Sequence, residues 1–222
     1  MDSRSENMII AVAHPSEREA VEKAVKRSGS QAEIIVTGVG GAAMSWALQK
    51  RFSSGPLPRL AVNAGIAGSY VADLRPGDIC IPGSDCFADM GVDDNGSFDS
   101  IFSASLADPD SWPFSGGRII CGGKSFEIAG PKFHVVRAAT VNMSSGSQPV
   151  IDRIMRSWDP QIETMEGAWF AYVCAMSHVE WIAVRAISNM VEPRNLKKWD
   201  IPLALMKLED AMTDILEIIT ER

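Results

Sequence analysis

Residues 8–41 read MIIAVAHPSEREAVEKAVKRSGSQAEIIVTGVGG. The opening run, Met8 to Ala13, is apolar throughout, as a strand covered on both faces of a sheet must be, and Pro15-Ser16-Glu17 then opens a charged helical stretch to about Ser28. The cycle repeats at once. Glu33 to Thr37 is strand-like, Gly38-Val39-Gly40-Gly41 makes a tight turn, and Ala42 to Phe52 has helical composition. A third strand, Leu60 to Ala64, runs into the small-residue stretch Gly65-Ile66-Ala67-Gly68, which reads as a turn. Strands alternating with helices predict an α/β fold around a central mixed, largely parallel β-sheet flanked by helices, with ligands gathering beyond the carboxyl ends of the strands.

Beyond Pro76 the rhythm changes to short β-like pieces at Asp78 to Ile81, Arg118 to Cys121 and Val135 to Thr140. A polar and aromatic loop from about Asp85 to Gly117 separates them, long enough to suggest a functional or interface role. Helical composition returns at Val150 to Ser157 and from Thr164 to Ser177. A β-run follows at Trp181 to Ile187, and an amphipathic segment spans Leu203 to Thr220.

The 222 residues are expected to form one domain, 1–222, with residues 1–7 disordered. A net charge of −7 argues against nucleic acid and anionic membranes as partners. Cys80, Cys86, Cys121 and Cys174 show no C-x-x-C spacing, and only His14, His134 and His178 are available to help them hold a metal. They read as reduced structural thiols of a cytoplasmic protein, and no apolar run is long enough for a signal sequence or membrane span.

Three segments have the chemistry of a site. The turns 38–41 and 65–68 follow strands and let a ligand approach the backbone closely, although packing alone explains such glycines equally well. Glu163-Thr164-Met165-Glu166-Gly167-Ala168 puts two acids at the start of an apolar helix. Glu163 reads as an acid favoured by a helix N-terminus. Glu166, among core-type residues, needs partners such as the hydroxyls of a ribose. Arg185-Ala186-Ile187-Ser188-Asn189 ends an apolar strand in polar side chains, read either as ligand contacts or as a helix cap by Ser188 or Asn189.

Together these segments resemble the nucleoside phosphorylase and nucleosidase superfamily, and within it most closely the futalosine hydrolases of the alternative menaquinone pathway. The resemblance rests on Thr37-Gly38-Val39-Gly40, Asn63-Ala64-Gly65-Ile66-Ala67-Gly68, Pro76-Gly77-Asp78-Ile79, Glu163 to Ala168, and Arg185 to Asn189 followed by Val191-Glu192-Pro193-Arg194-Asn195. It spans nearly the whole chain.

The resemblance implies an N-glycosyl hydrolase that needs no cofactor and acts on a small-molecule nucleoside as a homo-oligomer, a dimer or higher. Glu17 corresponds to the acid that positions the attacking water, with Glu19 as the alternative if the turn is aligned two residues differently. Met165 and Glu166 correspond to the pair beneath the ribose, Ser188 and Asn189 to the base-side pair, and Gly65 and Ile66 to the third-strand site. Arg194 lies where a cation would meet the benzoate of futalosine, and a structural surface arginine is the competing reading.

Phosphorylases of the superfamily carry a Ser and an Arg where this chain has Ile66 and Asn63. An apolar side chain cannot bind an oxyanion, so water is the expected nucleophile. Adenine-specific nucleosidases carry Asp where Asn189 stands, and an amide suits a 6-oxopurine, so hypoxanthine is the expected leaving base. Competing readings are a purine nucleoside phosphorylase, a methylthioadenosine-type nucleosidase, and a nucleoside-binding protein without turnover.

Overall fold

A computed structural model describes residues 7–220. Strand β1 (Met8–Val12) is buried along its whole length and pairs in parallel with β2 (Ala32–Val36) on one side and β3 (Leu60–Ser69) on the other. Helix α1 (Pro15–Ser28) joins β1 to β2, capped by His14 and ended by Gly29. Helix α2 (Gly41–Ser53) leads to β3.

The third strand does not stop at Ala64. The stretch 65–68 expected as a turn is extended strand within β3, because β11 (Glu180–Met190) runs alongside in parallel from Leu60 to Ser69 and holds the backbone straight. On its other edge β3 meets β1 first and then β10 (Ile162–Thr164), which pairs antiparallel with Gly68 and Ser69. Strand β9 (His134–Thr140) lies parallel to both β10 and β4 (Ile79–Asp85), and β4 returns antiparallel to β11. Strands β3, β11, β4, β9 and β10 thus close into a ring, with β1 and β2 extending it. The sheet is mixed, and helices cover its faces.

The segment from Asp85 to Gly117 is less irregular than expected. It contains a hairpin of β5 (Gly91–Asp94) and β6 (Ser97–Ser100), then β7 (Phe114–Ser115), which pairs with β8 (Arg118–Ile120). Short helices α3 (Lys124–Ala129) and α4 (Gln148–Trp158) lie between the later strands. Helix α5 begins at Gly167 (Gly167–Met176), so Glu163 and Thr164 belong to β10 and not to a helix, as a reading from composition would have them.

Helix α6 (Ile201–Thr220) buries Ala204, Leu208, Met212, Ile215 and Ile219 at helical spacing against α1 and the β1–β3 face. The opposite face is covered by α2 and α5 through Met44, Leu48, Phe170 and Cys174. All four cysteines are free and buried. Among the described residues no helix is long and apolar enough to cross a membrane, and no group of three or more His, Cys, Asp or Glu side chains is arranged to hold a metal. Asn7, expected to be disordered, is tied down: its side-chain amide donates to Leu57 O at 2.7 Å and its carbonyl accepts from Arg59 N–H. The expectation for residues 1–6 falls outside the described residues.

Candidate active site

A cavity of about 450 Å³ opens at the carboxyl ends of β1, β3, β10 and β11. Its wall includes Glu17, Ile66, Met165, Glu166, Ser188 and Asn189, brought from four separate parts of the chain. Such a volume suits a small-molecule ligand.

Glu17 sits on the first turn of α1 and is buried. Its Oε2 accepts from Ala13 N–H at 2.9 Å and His14 N–H at 3.0 Å, and its Oε1 accepts from Ile66 N–H at 3.0 Å. The carboxylate therefore caps its own helix and clasps β3. Gly65 lies just outside the cavity wall, and a Cβ there would stand 2.8 Å from Glu17 Oε1, so only glycine lets the acid come so close. Glu19, the alternative, is exposed and off the cavity.

Glu166 lies at the N-terminus of α5, where its Oε1 accepts from Gly40 N–H at 2.7 Å. The glycine turn after β2 thus touches Glu166 directly through its backbone. Burial raises the Glu166 pKa, while the Gly40 N–H and the charge of Arg185 pull it back. Arg185 was not singled out as a site residue by its sequence. Its guanidinium is wholly buried behind the cavity, donating to Asn63 O at 2.7 Å and to Asn63 Oδ1. Burial lowers its pKa, and the charges of Glu166, Glu17 and Asp85 oppose that. A single arginine inside an apolar strand was the available signal, since a buried charge requires compensation.

Ser188 occupies a bulge in β11, and Asn189 is paired with Gly68 of β3, so neither caps a helix. Asn189 Nδ2 donates to Met190 O at 3.0 Å, and the Ser188 hydroxyl lies 2.7 Å from Asn189 Oδ1. A flipped amide would turn its oxygen toward the Met190 carbonyl, so these two neighbours define the amide's orientation. One lone pair of Oδ1 and one hydrogen of Nδ2 remain for a ligand.

Arg194 does not line the cavity. It is exposed, with its guanidinium 5.9 Å from the ring centroid of Trp199, and Trp199 does line the cavity. Sequence reasoning missed Trp199, Tyr70, Ser144 and the real place of Glu163. Glu163 is a buried member of the cavity wall that accepts from Tyr70 O–H and, at 2.9 Å, from Ser145 N–H.

A family model described as "Phosphorylase superfamily" matches residues 12–221. The chain belongs to the phosphorylase superfamily. Among its relatives in this superfamily is a futalosine hydrolase of Acidothermus cellulolyticus, 30% identical over 197 residues that cover 83% of this chain and 75% of that one. The fold is shared with the Helicobacter pylori 5′-methylthioadenosine/S-adenosylhomocysteine nucleosidase solved with butyl-thio-DADMe-Immucillin-A, at a TM-score of 0.77 and 15% identity over 95% of this chain and 97% of that one. It is shared equally with the native futalosine hydrolase of H. pylori strain 26695, at a TM-score of 0.77 and 15% identity over 99% of each chain. Within the superfamily frame, Ile66 presents an apolar side chain to the cavity at the third-strand position, and Asn63 is spent on Ala11 O and Arg185.

Proposed function

We propose that the chain hydrolyses the N-ribosidic bond of futalosine, releasing hypoxanthine and dehypoxanthine futalosine for the alternative menaquinone pathway. The observation that carries this reading is one cavity lined by Glu17, Met165, Glu166, Ser188 and Asn189 together with an apolar Ile66. Its relative from A. cellulolyticus, a futalosine hydrolase, supports the choice of nucleoside.

In this reading Glu17 orients water toward C1′ of the ribose. The C1′–N9 bond breaks through a transition state resembling an oxocarbenium ion and its electron pair moves onto the purine; the water oxygen bonds to C1′ and gives one proton to Glu17, while the purine takes one proton at N7 from solvent. Glu166 accepts from the ribose 2′- and 3′-hydroxyls and Met165 packs beneath the ring. Asn189, oriented by Ser188, stabilises the departing base by donating to O6 and accepting at N7–H once N7 is protonated. Gly65 makes room for Glu17, and Ile66 leaves no oxyanion site. Arg194, exposed beside Trp199 and off the cavity wall, is the cation assigned to the benzoate carboxylate, which would extend out of the cavity to meet it.

The test is release of free base from futalosine, inosine and methylthioadenosine, each with and without phosphate. Rapid, phosphate-independent release of hypoxanthine from futalosine is expected. Phosphate dependence would make the enzyme a phosphorylase, preference for methylthioadenosine would make it an adenine-nucleoside hydrolase, and tight binding without release would make it a binding protein.

A further inference from the structure

One buried carboxylate of the cavity has no part in the chemistry above. Glu163 is 6% exposed and lies on β10, in register with Gly68 of β3, while Asn189 of β11 is in register with the same Gly68 from the other side. All three line the cavity. Glu163 and Asn189 therefore flank one strand at the same level, with a residue that has no side chain between them. A Cβ on Gly68 would come within 2.8 Å of Val191 Cγ2 and 3.2 Å of Asn189 Nδ2. The side chain that Gly68 lacks leaves that place to Val191 Cγ2 and Asn189 Nδ2, so Asn189 comes close over the strand that Glu163 flanks from the other side.

The partners of Glu163 are all donors. Tyr70 O–H and Ser145 N–H hold its two oxygens, Ser144 Oγ lies 3.4 Å from Oε1, and among the described residues no Lys, Arg or His is within ion-pair distance. A carboxylate accepts at about four lone-pair positions, so acceptor capacity is left over in a site where water would be displaced by ligand. A ligand group that meets it must be a donor, and on the edge of a purine ring that donor is an N–H. Asn189, on the far side of Gly68, offers both an acceptor and a donor.

We propose that Glu163, held in place by Tyr70, is a specificity-determining residue that accepts N1–H of a 6-oxopurine. The proposal rests on the purine nucleosidase reading above and adds a second edge to it. A 6-oxopurine carries N1–H on one side of its C6 carbonyl and N7 on the other, so it satisfies Glu163 and Asn189 together. A 6-aminopurine in the same pose turns an N1 lone pair toward the carboxylate, acceptor against acceptor.

Binding of free bases by calorimetry tests this without requiring turnover. The wild-type protein should bind hypoxanthine at least about tenfold more tightly than 1-methylhypoxanthine, which lacks the N1–H, and than adenine. Glu163→Gln supplies an amide N–H to the N1 lone pair and should lower the hypoxanthine-to-adenine affinity ratio by about tenfold or more. Tyr70→Phe, which leaves the carboxylate but frees it, should move the ratio the same way by less, a change that a merely structural role for Tyr70 would not produce. Should Glu163→Gln not fold, the wild-type comparison and Tyr70→Phe decide. Equal binding of hypoxanthine and 1-methylhypoxanthine, no binding of either, or a ratio unmoved in folded Glu163→Gln overturns the assignment. Turnover of nucleosides without N1–H discrimination overturns Glu163 alone. N1–H discrimination without turnover supports it and overturns hydrolysis alone.

Discussion

Glu17 combines two demands in one side chain. Three backbone N–H groups, from Ala13, His14 and Ile66, point at its carboxylate, so both oxygens must accept. Glu17→Gln keeps the shape but sets an NH2 against one of those donors, at a cost of about 1–3 kcal/mol in stability. If the acid also orients the attacking water, turnover should fall by about 10²-fold or more in protein that is still folded. Thermal melting and single-turnover base release on the same preparation separate these effects, and a lowered melting temperature with undiminished release would leave Glu17 a structural clasp only. Asp85 shows the cost of burial more plainly. Burial lifts its pKa from 3.8 to about 6, against the pull of the Thr140 hydroxyl, the Cys86 N–H and the charges of Arg185 and Arg118. A folded pKa above the unfolded one means that Asp85 favours the fold below about pH 3.8, and that this contribution is lost as pH rises through about 6. The difference is on the order of 3 kcal/mol. Asp85→Asn removes the titration, so the melting temperature of the variant relative to wild type should rise between pH 4.5 and pH 7.5. A difference that stays flat with pH would show that Asp85 does not carry this titration.

Strand β3 is the element on which the site is hung. It meets β1, β10 and β11, and its backbone at Gly65 and Ile66 receives Glu17 from α1. Gly65→Ala would put a methyl group 2.8 Å from Glu17 Oε1, and because three N–H groups hold that carboxylate it cannot swing clear without losing them. Base release should drop by at least about tenfold while far-UV circular dichroism stays native, since a displacement near 1 Å at the reacting groups costs that much or more. Wild-type rates in Gly65→Ala would free Glu17 from the role. The early strands and α1 were legible in the sequence because each is a local pattern: a wholly apolar run, a Pro-Ser-Glu helix start, a glycine end. What was not legible depended on partners far along the chain. Gly65 to Gly68 has the composition of a turn, and only β11 lying beside it makes it strand. Strand β10 is three residues long, too short for any periodicity, and Glu163 therefore looked like part of the helix that follows. The site residues carried by motifs, Glu17, Glu166 and Asn189, converge on one cavity, whereas Ser144 and Trp199 sit in segments without a pattern and reach the cavity only through tertiary contact, and Tyr70 stands behind it on Glu163.

At the scale of the whole molecule, the closed ring of strands and the two helical layers bury the apolar faces of the elements yet leave several large side chains in solvent. Val39 is 57% exposed although it lines the cavity, and Trp46 on α2 and Met143 are each 71% exposed. Two further residues of the long segment after β4, Leu106 and Trp112, are 67% and 66% exposed. Isolated exposed apolar residues are ordinary, and Trp46 stands out among them as a tryptophan on a helix that starts beside the cavity. We propose that a second copy of this chain packs over α2. Net charge of −7 repels two copies at long range, so association should strengthen as salt screens that repulsion, the reverse of an ion-paired interface. Sedimentation velocity over a range of protein and salt concentrations is expected to give a dimer or larger species. Trp46→Asp, which places a charge on an already exposed position and removes no core contact, should return the protein to monomer with its melting transition still cooperative. Wild-type protein that stays monomeric at tens of micromolar would remove self-association altogether, and a dimer that persists in Trp46→Asp would move the interface from α2 to the face carrying Leu106 and Trp112.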